Sequence, residues 1–263
     1  MRRNIWLYRR CLGAQLRATL EYEGDFWIMS VAALLTQGMG IVFLWAIFRA
    51  IPQINGWRFW DVVLIYSLVA LTEGIAVLLA QGAWSMAVTV NLGGLDTILV
   101  RPYSPLLQVL SSQIGMNGLG NLALGGSLFV AALLHVGVAW SPGRIATTAF
   151  VFAFAPLVKI GLNILTNCSA FWLKTPWSMF PFAFHTLGEL ARYPISIYGV
   201  VVRVILSVVL PYAFMSFFPA TAVLSLGSTS WLGLLTPVAA VWCVFLGRWA
   251  FRRGLLRYEG AGT

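Results

Sequence analysis

Hydrophobic residues form six long runs, separated by short stretches that carry most of the charged and helix-breaking residues. A helix needs about 20 apolar residues to cross a bilayer, and each run is close to that length or longer. The pattern therefore predicts an all-α polytopic membrane protein with six transmembrane helices. The predicted spans are residues 26–48, 60–82, 106–137, 144–172, 196–218 and 232–251.

A basic amphipathic pattern precedes the first predicted span. Apolar residues recur there at helical spacing, and five arginines lie largely to one side of them. Such a helix lies flat on a membrane, with its arginines near anionic headgroups. We predict an interfacial helix over residues 1–25, followed by one transmembrane domain over residues 26–263. The apolar face carries Ile5, Tyr8, Leu12 and Leu16.

Composition agrees with this pattern and narrows the class of protein. Hydrophobic residues make up 60% of the 263, only 10% are charged, and the mean hydropathy is +0.85. This leaves no room for a separate soluble catalytic domain. The net charge of +9 predicts contact with membrane lipids and not with nucleic acid, because Lys and Arg in a membrane protein mainly fix its orientation. The three scattered cysteines fit neither a disulfide framework nor a metal site.

The distribution of basic residues predicts the orientation. With both termini in the cytoplasm, twelve Lys and Arg fall in cytoplasmic segments and three in outside segments. The excess of positive charge inside favours this orientation. The cytoplasmic set is Arg2, Arg3, Arg9, Arg10, Arg17, Arg101, Lys174, Arg192, Arg248, Arg252, Arg253 and Arg257, and the outside set is Arg49, Arg58 and Arg144.

Two connecting segments have unusual compositions. Residues 173–195 are rich in aromatic residues, and we predict that they form a cytoplasmic loop containing an interfacial helix. Residues 217–231, FFPATAVLSLGSTSW, combine proline, glycine and small hydroxyl residues on the outside. Their pattern favours a short re-entrant excursion that does not cross the membrane.

Motifs for chemistry on this chain are absent. Neither Lys159 nor Lys174 lies in a G-x-x-x-x-G-K-[ST] nucleotide-binding loop. Neither His135 nor His185 lies in an H-E-x-x-H pattern or near a cysteine cluster, so packing or interfacial roles are favoured over metal binding. The sequence predicts no catalytic residue, no metal site and no cofactor on this chain.

Ionisable residues inside the predicted spans are the strongest candidates for function, since a buried charge needs a partner or a wet cavity. Glu73 lies 73 − 60 = 13 residues from the outer end of its span and Lys159 lies 159 − 144 = 15. At 1.5 Å per residue the depths are about 20 and 23 Å. The two side chains are therefore predicted to meet.

Asparagines form two further polar stripes within the spans. Two readings stay open for them, helix packing and the lining of a transport path. The first stripe repeats at i, i+4, i+8 and the second lies beside Gly118 and Gly120. The first stripe is Lys159, Asn163 and Asn167 on the fourth span, and the second is Asn117 and Asn121 on the third.

The stretch NLGGLDTILVRPYSPLLQ, residues 91–108, connects the second and third predicted spans. Its glycine pair and prolines exclude a membrane crossing, but its apolar residues recur at helical spacing. A lipid-surface helix would carry more basic residues and no exposed aspartate. A groove in a cytoplasmic partner protein would bury the leucines and pair with Asp96 and Arg101.

The motif G-G-L-D-x-x-L-x-R-P in that stretch resembles the first cytoplasmic loop of permease subunits of type-2 ABC transporters. It is most similar to poorly characterised bacterial permeases that also resemble daunorubicin-type export systems. Further similar stretches are ELARYPISIY from Glu189, LSVVLPYAFMSFFPA from Leu206 and GLLRYEGAG from Gly254. Where the family's C-terminal end usually has serine, this chain has Gly260.

The resemblance implies a six-helix permease in the bacterial inner membrane, dimerising with a second copy or a sister permease. A separate ABC ATPase subunit would bind ATP and Mg and drive export. A coupling helix after the second span would dock onto that ATPase. An ion-coupled secondary transporter or channel using Glu73 and Lys159 is the alternative. The coupling residues would be Leu95, Asp96, Leu99, Arg101 and Pro102.

Overall fold

Helices account for nearly all the secondary structure of this chain. The structure is a computed structural model that describes residues 2–21, 23–173, 179–227 and 230–258. The predicted all-α class is confirmed. The helices are α1 (Arg2–Leu20), α2 (Glu23–Ala50), α3 (Phe59–Ala80), α4 (Met86–Asn91), α5 (Gly94–Leu99), α6 (Pro105–Leu110), α7 (Asn117–His135), α8 (Pro142–Asn167), α9 (Met179–Glu189), α10 (Val200–Val204), α11 (Phe217–Leu224) and α12 (Thr236–Leu255).

In the described part of the chain, five helical stretches are long and apolar enough to cross a membrane. They are Gly24–Ala50, Phe59–Asn91, Asn117–His135, Pro142–Phe171 and Ser230–Leu255. The second of these, which contains α3, is buried over most of its length and lies at the centre of the bundle. These five correspond to five of the six predicted spans, and the chain is a multi-pass membrane protein.

Two ends of the bundle are useful landmarks. At one end, strands β1 (Gln53–Ile54) and β2 (Trp57–Arg58) form a small antiparallel hairpin between α2 and α3, and we call this the β-hairpin end. At the other end, which we call the α5 end, lie α1, α5 and the last turn of α12. α3 and α8 run in the same direction, from the β-hairpin end to the α5 end.

Glycines allow two pairs of helices to touch through their backbones. A Cβ on Gly74 of α3 would lie 2.9 Å from the carbonyl oxygen of Gly118 of α7. A Cβ on Gly161 of α8 would lie 2.5 Å from the carbonyl carbon of Cys243 in α12, and one on Gly247 would lie 2.8 Å from the Gly161 oxygen. Small residues at such crossings let apolar helices approach closely. α8 and α12 are thereby packed side by side along most of their lengths.

The prediction that residues 173–195 form a cytoplasmic loop is wrong where the structure describes them. From α9 onward the chain runs antiparallel to α3 through the bundle. The His185 ring contacts Trp84 with centroids 4.9 Å apart, and the Trp57 indole donates a hydrogen bond of 2.8 Å to the Ser196 hydroxyl. Since Trp84 and Trp57 flank opposite ends of α3, residues 179–197 run through the bundle from the α5 end to the β-hairpin end, and we call them the fifth crossing.

The predicted fifth span, residues 196–218, is not a single helix. Here α10 continues into a π-helical turn at Ile205–Val209, and α11 follows after a break at Pro211. The Lys159 ammonium lies 5.7 Å from the Tyr212 ring centroid, deep in the bundle, whereas Ser225 accepts a hydrogen bond from Arg144 at the β-hairpin end. Residues 200–224 thus enter from the β-hairpin end and return to it, and we call them the re-entrant segment.

A re-entrant excursion was predicted only for residues 217–231, so the excursion starts earlier than the sequence indicated. Non-helical backbone at membrane depth is tolerated where protein surrounds it. That condition holds at the turn of the re-entrant segment, where Leu210, Tyr212 and Ser216 are buried. The Ser216 hydroxyl donates to the Ala191 carbonyl oxygen at 2.7 Å, which ties the turn to the fifth crossing.

Candidate functional site

A buried ion pair lies at the centre of the bundle. The Lys159 ammonium of α8 is 2.7 Å from the Glu73 carboxylate of α3, and both residues are buried. The two residues lie at one depth because α3 and α8 run in parallel as uninterrupted helices from the same end. The predicted meeting of these side chains is therefore present in the structure, and its role in transport stays a prediction.

The fifth crossing extends this pair. Lys159 donates a hydrogen bond of 3.2 Å to Nδ1 of His185, one turn before Glu189. Nε2 of His185 lies 3.8 Å from the Glu189 carboxylate, and that carboxylate forms an ion pair of 2.6 Å with Arg192. Three residues of the fifth crossing therefore continue the contacts that begin at Glu73: neutral His185 links Lys159 to Glu189, and Glu189 pairs with Arg192.

The far end of this chain of contacts reaches α2, α3 and α7. Arg192 donates to the side-chain oxygen of Gln37 at 2.6 Å and to the Tyr66 hydroxyl at 3.1 Å. The Gln37 amide nitrogen in turn donates to the Asn121 side chain at 3.2 Å. One continuous set of polar side chains thus joins five elements. We call it the polar network: Gln37, Tyr66, Glu73, Asn121, Lys159, His185, Glu189 and Arg192.

Five members of the polar network were missed or misassigned from the sequence. His185 was interpreted as a packing or interfacial residue, and Arg192 as part of a cytoplasmic loop. The spacing i, i+4, i+7 of His185, Glu189 and Arg192 puts them on one helical face and could have indicated a buried polar stripe. Tyr66 lies seven residues before Glu73 on the same face of α3, whereas Gln37 of α2 has no charged residue at helical spacing to mark it.

The other predicted polar residues lie outside the network. Asn163 and Asn167 are buried in α8, where the Asn167 amide donates to the Asn163 carbonyl oxygen at 2.8 Å. Asn117 is exposed at the start of α7, away from buried Asn121. His135 stacks on Trp60 with centroids 4.0 Å apart, in keeping with a packing role. Among the described residues no three metal-ligating side chains converge.

The formal charges of the polar network sum to zero. Glu73 and Glu189 carry two negative charges, and Lys159 and Arg192 carry two positive charges. A buried charge is strongly destabilising alone and much less so when paired and hydrogen-bonded. The paired charges therefore hold the fifth crossing against α3 and α8. The same groups include no nucleophile activated by a base.

The short helix α5 protrudes at the opposite side of the molecule from the β-hairpin. Gly93 adopts a left-handed conformation, with φ of 72°, which ends α4 and starts α5. Leu95 is 0% exposed and belongs to the chain's own core, so it contributes nothing to the exposed surface of α5, and its role in ATPase coupling stays a prediction. Leu92, Leu99 and Val100 are 78%, 44% and 84% exposed, and they form the apolar surface that remains.

Surrounding segments hold α5 and the following turn in place. Buried Gln108 donates from its amide to the carbonyl oxygens of Ile98 and Tyr103, at 3.1 and 2.8 Å. Arg3 of α1 donates to the Pro102 carbonyl oxygen at 3.3 Å. Burial and the neighbouring Asp96 carboxylate raise the pKa of Tyr258, so the stretch after α12 also lies beside α5. Asp96, Leu99, Arg101 and Pro102 are exposed around this tip.

α1 is likewise attached to the bundle. The Tyr8 hydroxyl donates to the Leu79 carbonyl oxygen at the end of α3. Burial, with a smaller effect of Tyr103, raises the pKa of Tyr8 to about 12, so the phenol stays protonated and remains a donor. The predicted N-terminal helix is present as α1, and it contacts the elements that carry α5.

Comparison with known protein families gives a match to the model described as "ABC-2 family transporter protein" over residues 34–262. That range covers far more than half of the chain. The chain belongs to the ABC-2 transporter family. Comparisons with curated proteins and with solved structures give no match.

As an ABC-2 permease, the chain is the membrane subunit of an ABC transporter and is not itself the catalytic subunit. Family membership implies an ABC ATPase as its partner in general terms. The resemblance to daunorubicin-type systems is narrower than this match and stays a prediction. Gly260 and Lys174 lie outside the described residues. The ABC-2 permease thus presents two candidate sites, the polar network inside and the α5 tip at one end.

Proposed function

We propose that this permease is the transmembrane half of an ATP-driven exporter in the bacterial cytoplasmic membrane, with both termini in the cytoplasm. It pairs with a second copy or a sister permease and is driven by a separate ATPase that docks on the α5 tip. The observation that carries the proposal is the firmly held α5 with apolar side chains exposed beside it. Leu99 and Val100 are exposed outside the membrane-spanning stretches, and a partner protein that covers them would bury this apolar surface.

The charge distribution supports a cytoplasmic α5 end. The structure moves Arg192 into the bundle, which leaves 12 − 1 = 11 basic residues for the cytoplasmic side. Arg203, in the re-entrant segment near the β-hairpin end, raises the outside set to 3 + 1 = 4. The excess at the α5 end remains large, and positive residues accumulate on the cytoplasmic side of membrane proteins.

A route for coupling runs from the α5 tip to the polar network. The stretch Phe59–Asn91 is almost continuously helical and joins the network residues Tyr66 and Glu73 to the turn at Gly93. Displacement of α5 by an ATPase would move α3 directly. α3 would then pull on Lys159 and Arg192, which hold α8 and the fifth crossing. In alternating access, the contacts of the polar network would be formed in one state of the permease and broken in the other.

Ion-coupled transport is the rival function, and the pairing of its two candidate residues argues against it. An ion-binding site needs ligands that are free for the ion, whereas Glu73 and Lys159 are already paired with each other at 2.7 Å. Transport by the purified permease without any ATPase would support the rival. Transport only in the presence of an ABC ATPase and ATP would support the exporter.

We expect the substitutions Leu99→Ser and Val100→Ser together to weaken retention of the ATPase on the tagged permease about 30-fold. The estimate corresponds to losing about 2 kcal/mol at an interface hot spot. The measurement is the amount of ATPase that co-purifies from native membranes at several salt concentrations. Leu134→Ser is a matched control, because Leu134 is 77% exposed but lies at the β-hairpin end. Unchanged ATPase retention and transport in the double variant would contradict docking at α5.

The proposed topology predicts which cysteines react with an impermeant reagent. In a Cys11→Ser background, Ala14→Cys and Ala18→Cys should label in inside-out vesicles and not in intact cells. Both positions are exposed on α1, and the native Cys168 and Cys243 are buried. Ala50→Cys, exposed at the end of α2, should give the opposite pattern. Labelling of α1 from outside intact cells would invert the topology.

A further inference from the structure

A cavity of about 370 Å³ lies within the re-entrant segment, near the β-hairpin end. Its wall combines one cation with two hydroxyl groups, and the rest of it is apolar. The polar lining is Ser196, Arg203 and Ser207, and the apolar lining includes Val204, Phe217, Phe218 and Leu232. Nothing in the proposed coupling mechanism uses this cavity.

The cation in this wall has no acidic partner in the described part of the chain. Arg203 is exposed, and its Nη2 donates to the carbonyl oxygens of Ser196 and Tyr198, at 3.1 and 3.3 Å. These bonds hold the guanidinium at the cavity and use one of its nitrogen atoms. A guanidinium has five N–H donors, so others remain for a ligand. Asp61, an acidic residue at this end, is paired with Arg58 instead.

The hydroxyl groups add donors of the same kind. The Ser196 oxygen accepts the Trp57 indole N–H at 2.8 Å, which leaves the Ser196 hydrogen free to donate to a ligand. Ser207 lies in the π-helical turn Ile205–Val209, and such turns occur frequently at functional sites. A guanidinium with neighbouring hydroxyls is a favourable site for phosphate or carboxylate.

The apolar lining of the cavity indicates the chemistry of the part of the ligand that lies away from Arg203. Phe217 and Phe218 are buried side chains that form an apolar floor, and Val204 and Val208 are exposed at the mouth. At about 30 Å³ per water-sized group, the volume holds about twelve such groups. That is room for a short length of hydrocarbon chain beneath a charged head.

We propose that this cavity binds an anionic amphiphile, with its phosphate or carboxylate on Arg203 and its hydrocarbon chain against Phe217 and Phe218. The ligand is either a phospholipid of the bilayer or a transported molecule of the same chemistry. The proposal goes beyond the exporter function and does not depend on it, since binding is a property of the permease alone.

The test compares lipid binding by the delipidated, full-length permease in nanodiscs. The probe is phosphatidylglycerol that carries a photoreactive group on its acyl chain, offered in a background of phosphatidylcholine. We expect labelling to map to residues 204–218 and Arg203→Gln to reduce it about tenfold, whereas Arg203→Lys retains most of it. Ser207→Leu, which fills the cavity without removing the charge, should also reduce labelling.

Arg49→Gln is the matched control, because Arg49 is an exposed arginine at the same end but does not line the cavity. Equal losses for Arg49→Gln and Arg203→Gln, or equal labelling by photoreactive phosphatidylcholine, would overturn the proposal. Mass spectrometry of molecules that co-purify from native membranes separates the two sources. A bilayer phospholipid indicates the membrane as the source, and another anionic amphiphile indicates a ligand from a different source. Either supports the binding chemistry.

Discussion

Neutralising Glu73 alone is expected to destabilise the permease more than neutralising Glu73 and Lys159 together. Glu73→Gln leaves the Lys159 ammonium buried without its 2.7 Å partner, and breaking a buried pair costs about 3–5 kcal/mol. Lys159→Met leaves the Glu73 carboxylate buried without its partner. In the double variant both charges are gone, so much of that loss should return. Folded yield and the thermal unfolding temperature in detergent measure the effect.

A control substitution and a double-mutant cycle isolate the interaction between Glu73 and Lys159. Arg58→Gln breaks an ion pair of 3.5 Å to Asp61 in which the arginine is largely exposed, so a loss below about 1 kcal/mol is expected. The cycle formed by Glu73→Gln, Lys159→Met and the double variant gives the coupling energy directly. Strictly additive losses would show that the two side chains do not meet in the folded protein.

Substituting Gly161 by leucine is expected to cause the second large loss. Its Cβ would overlap backbone atoms of Cys243 and Val244, at 2.5 and 2.6 Å, and backbone cannot move aside as a flexible side chain can. Overpacking costs 1–3 kcal/mol where neighbours adjust, so about 3 kcal/mol or more is expected here. α8 and α12 would have to separate along their whole contact. The unfolding temperature of the purified permease measures the change.

The matched control is Gly126→Leu on α7, where a Cβ would meet no atom within 4 Å. Both substitutions replace a helical glycine by the same residue, so helix propensity and hydrophobicity change equally. A shift that is as small for Gly161→Leu as for Gly126→Leu would show that α8 and α12 do not pack through their backbones.

Depth within the bundle follows from the sequence where a helix is long and uninterrupted. The depths of Glu73 and Lys159 were counted along α3 and α8, and equal rise per residue brought the two charges to one level. The count needed no knowledge of neighbouring helices. It could not include His185 or Arg192, because these lie on a crossing whose existence was not recognised.

The fifth crossing escaped recognition because its hydrophobic run is short and aromatic. Its regular helical part, Met179–Arg192, is shorter than a bilayer span, whereas residues 196–218 are more uniformly apolar. Hydropathy therefore favoured the re-entrant segment, in which the turn and α11 are buried in protein but α10 is not. At α5 the periodicity was correct, but spacing alone could not decide that Leu95 faces the core while Leu99 faces out.

The balanced charges of the polar network also determine how the permease responds to the membrane potential. A single charge moved across 100 mV exchanges about 2.3 kcal/mol with the electric field, which is how voltage sensors work. In the polar network the two carboxylates cancel the ammonium and the guanidinium, so the field does no net work when these groups shift together. An ATPase docked at α5, as proposed above, could then drive any step in which the network moves as one set without a contribution from the membrane potential.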